Sequence, residues 1–297
     1  MTDAPALSFA DQGRAGRHRI WWWGLGLVAI FVLVTGLVLA VVFAANTLFP
    51  DALLYDTDHR FVAATLVSLA LITPVCVAVV RIVHGRPART LFTAAARFRW
   101  SLVGLSTAVA VALVGLAQGL EILAVPGDLE TAGPNHVGAP VWLAFVPLVF
   151  LQCLGEESLF RGYLVQAVGR FTRRTWLVVA LPAGLFFAAH IPNVAEMSPI
   201  DSPVFWEGLI DYLIYSVYVT WITVRTGGIE AALGLHVGTN LFLLLVAEFA
   251  LFRIDRVTLF TWTPDPDHAL LNAVVSLVLM GAVLAAHWAL VVRRRMD

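Results

Sequence analysis

The chain has 297 residues, of which 60% are hydrophobic and 13% charged, and its formal net charge is −1. This balance excludes an ordinary soluble domain, a disordered chain and a nucleic-acid-binding field spread over the whole molecule. Repeated long apolar runs point instead to a polytopic membrane protein.

Residues 1–19 are polar, end in Arg14, Arg17, His18 and Arg19, and read as a cytoplasmic tail. Trp21, Trp22 and Trp23 follow as an interfacial anchor. The first apolar run, Trp23 to Ala45, is too long for a signal peptide, and no small-residue cleavage site ends it. A loop with Asp51, Asp56 and Asp58 leads to a second span from Phe61 to Val83. Pro87 to Phe98, flanked by arginines, reads either as an amphipathic helix on the membrane surface or as a basic loop with apolar anchors. The third span, Trp100 to Val125, contains Gln118 and Glu121. After a loop with Gly133 and Pro134, the fourth runs from Pro140 to Val168 and the fifth from Trp176 to His190 or slightly beyond, with Pro192 helping to end it. The sixth, Glu207 to Val224, turns through Gly227 and Gly228 into the seventh, Ile229 to Leu251. The eighth, Ala269 to Val292, is followed by Arg293, Arg294 and Arg295.

Arginine-rich connections alternate with connections carrying Asp51, Asp128 and Asp201. The positive-inside rule then places both termini in the cytoplasm of a cell-membrane protein. The fold class is all-α: a single membrane domain over 1–297, a polytopic helical bundle of about eight transmembrane helices. Cys76 and Cys153 both lie in apolar runs and imply neither a disulfide framework nor a thiolate zinc site.

Glu156, Glu157 and Arg161 interrupt the fourth span, and charge at that depth costs on the order of 2.5–3.5 kcal/mol per residue. Glu157 and Arg161 are four apart and share a helix face, so they pair and leave Glu156 without a partner in its own helix. A buried unpaired carboxylate suits general acid–base work, although a structural ion cluster is the bland alternative. Phe186 and His190 share a face of the fifth span, and His236 and Asn240 share one of the seventh. Gly234 and Gly238 let another helix approach beside His236. Glu156, His190 and His236 can bind Zn2+ or another divalent metal with one position open to water, or can hold an attacking water with no metal. Asn240 is a further ligand or an amide donor to a developing oxyanion. One tension arises from depth. Glu156 and His190 lie near mid-bilayer, whereas His236 is close in sequence to the turn at 225–230, so a buried turn, helix tilt or a later start to the fifth helix is needed. Glu121, Glu248 and Asp211 read as residues near span ends that reach the interface, with lining a cavity or binding substrate as the alternative; Tyr212, Tyr215 and Trp221 read as packing and belt residues, and His287 as interfacial.

Glu156-Glu157-x-x-x-Arg161, Phe186-x-x-x-His190 and His236-x-x-x-Asn240, in that order, resemble the three motifs of the CPBP family. That family contains the type II CAAX-prenyl endopeptidases and the bacteriocin-processing, or Abi, proteins. The resemblance covers roughly 140–250, the catalytic core. It implies an intramembrane endopeptidase acting on a peptide bond of a membrane-associated or lipidated protein or peptide. Glu156 and His190 would activate water, as part of a metalloprotease or of a glutamic endopeptidase. His236 and Asn240 would stabilise the oxyanion or complete a metal site, with Glu157, Arg161 and Phe186 in support. Alternatives on the same fold are a non-catalytic membrane scaffold or a bacteriocin-immunity protein. A transporter with carboxylates on an ion path is the third possibility. The partners implied are the substrate and the lipid bilayer, with no nucleic acid.

Overall fold

The apolar runs become helices, and a few polar, proline and glycine positions decide where those helices bend. The computed structural model describes residues 8–49, 59–131, 137–249 and 257–293. Asp51, Asp56, Asp58, Gly133, Pro134, Arg294, Arg295 and the side chains of Glu196 and Glu248 lie outside that description. Helix α1 is Ile20–Leu48; α2, His59–Ala70, and α3, Ile72–Ile82, divide the second run; α4 is Trp100–Ala124. The fourth run comprises α5, Ala139–Glu157, a π-helical turn over Ser158–Leu164, and α6, Val165–Phe171. Then come α7, Thr175–Met197; α8, Pro203–Thr226; α9, Glu230–Leu245; and α10, Ala269–His287, which passes into a second π turn at Trp288–Val292.

Six of these runs are long and apolar enough to cross a membrane: Ile20–Leu48, His59–Ile82, Trp100–Ala124, Ala139–Phe171, Thr175–Ala195 and Pro266–Val292. Helix α8 has the length but carries Glu207, Asp211 and Arg225. Helix α9 has 16 residues, about 24 Å at 1.5 Å per residue and shorter than the hydrocarbon core. The architecture is a polytopic helical bundle, with six candidate membrane spans among eight helical runs in the described residues.

The break between α2 and α3 falls at Leu71, three residues before Pro74. Proline lacks an N–H and crowds the carbonyl four residues back, here Ala70. The opened backbone is used, because Gly155 packs there so closely that a Cβ would overlap the Leu69 carbonyl oxygen. The residue before Glu156 is thus seated in the kink of the neighbouring span. Gly234 and Gly238 do what their spacing suggests: they bring α9 onto α4, against the backbone of Val103 and Thr107.

Several expectations change. Helix α7 runs through Pro192 to Met197 instead of stopping at Pro192; a membrane helix tolerates the lost bond where neighbours shield it. Helix α9 ends at Leu245, not Leu251. It is followed by a small sheet in the order β1-β3-β2, made of Gly127–Thr131, Phe260–Pro264 and Ala247–Phe249. β1 pairs antiparallel with β3, in the register Leu129 opposite Trp262, and β2 pairs parallel with β3. Trp262 is buried. The sequence reading contained no strands, because none of these three short segments alternates strongly enough to be separated from loop.

The segment 84–99 is neither a surface helix nor a loosely anchored loop. After one 3-10 turn, Ala88–Leu91, it plugs the arginine-rich end of the bundle, with Leu91 and Thr93 fully buried. Thr93 bridges Gly228, Ile229 N–H donates to Phe92 O (2.9 Å) and Ala94 N–H donates to Gly227 O (2.9 Å). Glu230, the first residue of α9, is buried and receives Arg99 Nη2 at 2.7 Å and Nε at 3.0 Å. Residues 228–230 of the turn are therefore buried, so α9 starts inside the bundle, as the early position of His236 in that helix requires.

The tail is also docked. Arg14 Nη2 donates to Gly169 O (3.0 Å), Arg170 Nε to His18 O (2.8 Å) and Arg86 Nη1 to Gln12 O (2.7 Å). Residues 8–19 thereby cover the end of α6.

Candidate active site

Helix α5 delivers Glu156 and Glu157 at its last two positions, where the backbone widens from α-helix to π-helix. Ser158 Oγ donates back to Leu154 O at 2.6 Å and also meets Thr73 Oγ1 at 3.2 Å. Single π turns inside α-helices concentrate at functional sites because they re-aim side chains.

Glu157 is fully buried and does two things with one oxygen. Its Oε1 accepts from Arg161 Nη1 at 3.0 Å and from His236 Nδ1 at 2.9 Å. The first bond is the expected i,i+4 pair. The second fixes the plane of His236 and turns its Nε2 toward Glu156 Oε2, 3.6 Å away. Glu156 Oε2 is buried and has no hydrogen-bond partner among the described residues. Arg161, fully buried, lies with Cζ 3.9 Å from the centre of the Phe186 ring. Phe186 in turn meets Phe160 edge-on at 5.1 Å. The guanidinium is held by a carboxylate on one side and an aromatic face on the other.

His190 is oriented from three sides. Its Nδ1 lies 2.8 Å from Phe186 O. A carbonyl only accepts, so Nδ1 carries the proton and Nε2 keeps its lone pair free. The ring is sandwiched between Phe186 at 4.2 Å and Tyr212 at 4.8 Å. Glu156 is near enough to His190 and to Tyr212 to act on both electrostatically. Asn240 Nδ2 donates to Gln152 Oε1 at 3.2 Å, and the Cys153 thiol approaches the same oxygen at 3.3 Å.

The structure therefore assembles Glu156, Glu157, Arg161, Phe186, His190, His236 and Asn240 from α5, the π turn, α7 and α9. It adds three residues that sequence reasoning left out. Gln152 is one helical turn before Glu156 in an otherwise apolar run, a legible signal. Tyr212 and Tyr215 of α8, which read in the sequence as packing and belt residues, stand over His190 and, at 6.0 Å and 70°, over His236. Tyr215 is buried with an unpartnered hydroxyl; nothing in the spacing of α8 distinguishes such a tyrosine from a belt residue.

A second histidine chain lies elsewhere. His287 is fully buried rather than interfacial, with Nε2 2.7 Å from Ser106 Oγ and Nδ1 2.8 Å from Tyr218 OH. Ser106 gives its own proton to Ala231 O at 2.7 Å. His287 must then donate to Ser106 and accept from Tyr218. The serine sends no proton to the histidine, so this chain clasps α4, α8, α9 and α10 and is not a nucleophilic dyad.

Metal ligation can be tested on the donor set. Glu156 Oε2 and His236 Nε2 could flank one ion, and Glu157 behind His236 resembles the carboxylate that orients metal-bound histidines. Among the described residues, however, no group of three His, Cys, Asp or Glu side chains converges as a metal site requires. The arrangement does not fit a three-ligand metal centre.

Comparison with known proteins fixes the family. The chain is 30% identical over 245 residues to a Bacillus subtilis (strain 168) protein named "Uncharacterized protein YyaK", covering 78% of this chain and 80% of that one. Residues 138–242 match the model of the type II CAAX prenyl endopeptidase Rce1-like family. The chain belongs to that family. No solved structure gives a significant match. The segment matching the Rce1-like family begins at the start of α5 and ends two residues after Asn240, so it contains every motif residue described above.

Proposed function

We propose that the chain is an intramembrane endopeptidase that hydrolyses a peptide bond of a membrane-associated or lipidated protein or peptide. The observation that carries the proposal is a buried Glu156 Oε2 with no hydrogen-bond partner among the described residues, within electrostatic reach of a His190 whose Nδ1 is tied to Phe186 O. A water held between Glu156 and His190 gives its proton to Glu156 as its oxygen bonds to the scissile carbonyl carbon. Asn240 keeps one amide N–H beyond that given to Gln152 and donates it to the oxyanion; His236, its Nδ1–H committed to Glu157 Oε1, adds a second donor at Nε2 only as the imidazolium. The C–N bond then breaks, and the proton on Glu156 passes to the leaving amine. Glu157 and Arg161 hold His236 and the helix in place. No step of this proposal uses a metal.

The orientation follows from the arginines. Arg14, Arg86 and Arg170 are knitted together at one end of the bundle by the bonds described above, joined there by Arg17 Nη1 donating to Ile82 O (3.1 Å) and Arg99 Nη1 to Thr226 O (2.9 Å). The positive-inside rule makes that end cytoplasmic, with both termini there, in the cell membrane.

The test uses purified protein in detergent with a peptide library. Glu156→Gln is expected to abolish cleavage with the thermal midpoint kept, and the wild type is expected to cleave equally with and without a divalent-metal chelator. Full activity in Glu156→Gln would sink the assignment. Loss of activity on chelation, restored by metal, would replace the metal-free mechanism.

A further inference from the structure

A second set of carboxyl groups lies at the opposite end of the bundle from the arginines. Glu121 is in the last turn of α4, and Glu207 and Asp211 are four apart near the start of α8. Glu121 is buried with Oε1 unpartnered, and Asp211 Oδ1 is likewise buried without a donor. The Glu207 and Asp211 carboxyls are within hydrogen-bonding reach of one another, and both sense Glu121 electrostatically. Gln118 Nε2 reaches Glu121 Oε2 only at 3.4 Å, and Ser276 Oγ of α10 donates to Glu207 Oε1 at 2.7 Å.

Three carboxyls in such a place cannot all be ionised unless a cation joins them. None is found: no ion pair among the described residues reaches any of the three. An independent feature points the same way. Asn272 is 3% exposed with Oδ1 unpartnered. It sits one turn before Ser276 on the same face of α10, the face that meets Glu207. A buried amide oxygen with no donor is costly and is the group a hydrogen-bonding cation would satisfy.

The chemistry narrows the ligand. Every donor is an oxygen, and the groups are spread over three helices. They do not converge tightly enough to coordinate a metal ion. A wider cation with directed N–H groups, an ammonium or a guanidinium, matches that spacing. The position says where it comes from. Asp211 adjoins Tyr212, whose ring stacks on His190, and Tyr212 lies within the electrostatic reach of both Asp211 and Glu156. We propose that Glu207, Asp211 and Glu121, with Asn272 and Ser276, form a subsite for a cationic group of the peptide substrate, within a few residues of the scissile bond. This rests on the endopeptidase reading and adds to it a substrate class.

The test has a binding arm and a cleavage arm. Purified wild type in detergent is titrated with hexylguanidinium, with hexanol, and with sodium and calcium chloride, following the thermal midpoint and the heat of binding. Saturable stabilisation by hexylguanidinium alone, lost in both Asp211→Asn and Glu121→Gln, is expected. In the cleavage arm, peptides with Lys or Arg near the cut are expected to be preferred over norleucine analogues, the preference falling about tenfold in Asp211→Asn. Equal response to hexanol, or a response unchanged in the variants, overturns the proposal. So does stabilisation by sodium or calcium alone, which would make the site inorganic. No response to any ligand also overturns it and leaves a structural cluster sharing protons. Binding of hexylguanidinium without cleavage of any peptide would keep the cation site and defeat the endopeptidase reading. Cleavage with neither binding nor charge preference would do the reverse.

Discussion

Glu156 and Glu157 are adjacent and chemically identical, yet their surroundings give them opposite tasks. Glu157 Oε1 is the shared acceptor of Arg161 and His236, while Glu156 Oε2 has no partner. Removing the charge of Glu157 leaves a fully buried arginine without its only carboxylate among the described residues. Breaking a buried pair by deleting one partner costs about 3–5 kcal/mol. Glu157→Gln is therefore expected to lower the thermal midpoint sharply and to lose activity through misplacement of His236. Glu156→Gln is expected to lose activity with little change in midpoint. Parallel melting curves of the two variants check this; equal midpoints would show that Glu157 does not hold the fold.

At the scale of elements, the same site depends on backbone approaches that only small residues permit. Gly155→Ala would drive a Cβ into the Leu69 carbonyl where α2 breaks into α3. It is expected to prevent accumulation of folded protein. Gly184→Ala, in α7, meets nothing within 4 Å and is expected to be neutral or stabilising by roughly 0.5–1 kcal/mol. Yields and melting of the two variants test the contrast. Much of this architecture was legible beforehand. Eight apolar runs, the pairing of Glu157 with Arg161 and the small-residue face of α9 follow from hydropathy and from the helical period. What was not legible depends on distant partners. The second task of Glu157 requires α9 to arrive beside it. The burial of 84–99 requires the turn at 227–230 to arrive beside it. The place of Tyr212 and Tyr215 requires α7 to pack on α8. A periodicity argument sees one helix at a time, and these features belong to pairs.

At the scale of the molecule, the arginine-rich end is tied together by a neutral histidine. His84 Nδ1 faces Arg17 O at 3.0 Å and Nε2 faces Tyr163 OH at 3.0 Å, while the ring lies 4.2 Å from that of Trp23. Burial pulls the pKa of His84 below its ordinary 6.5, helped by the Arg86 charge and opposed by the bond to Arg17 O. The unfolded chain then takes up a proton before the folded one does. The contribution of His84 is whole above pH 6.5 and is lost as pH falls below it. Melting midpoints of wild type and His84→Gln are expected to diverge at neutral pH and to converge toward pH 5; a constant difference would refute the linkage. The outer sheet has a mechanical consequence. One residue, Val246, separates α9 from β2, and β3 joins β2 to β1, which follows α4. At its other end α9 is fastened by Arg99 to Glu230. The helix bearing His236 and Asn240 is thus the fixed jaw of a vice, and the Ser106–His287–Tyr218 clasp fastens α8 to it. Helix α7, which carries His190 and belongs to neither the sheet nor that clasp, is the opposing jaw expected to move. Spin-label distances from α9 to α7 should widen on substrate binding, while those from α9 to α4 hold.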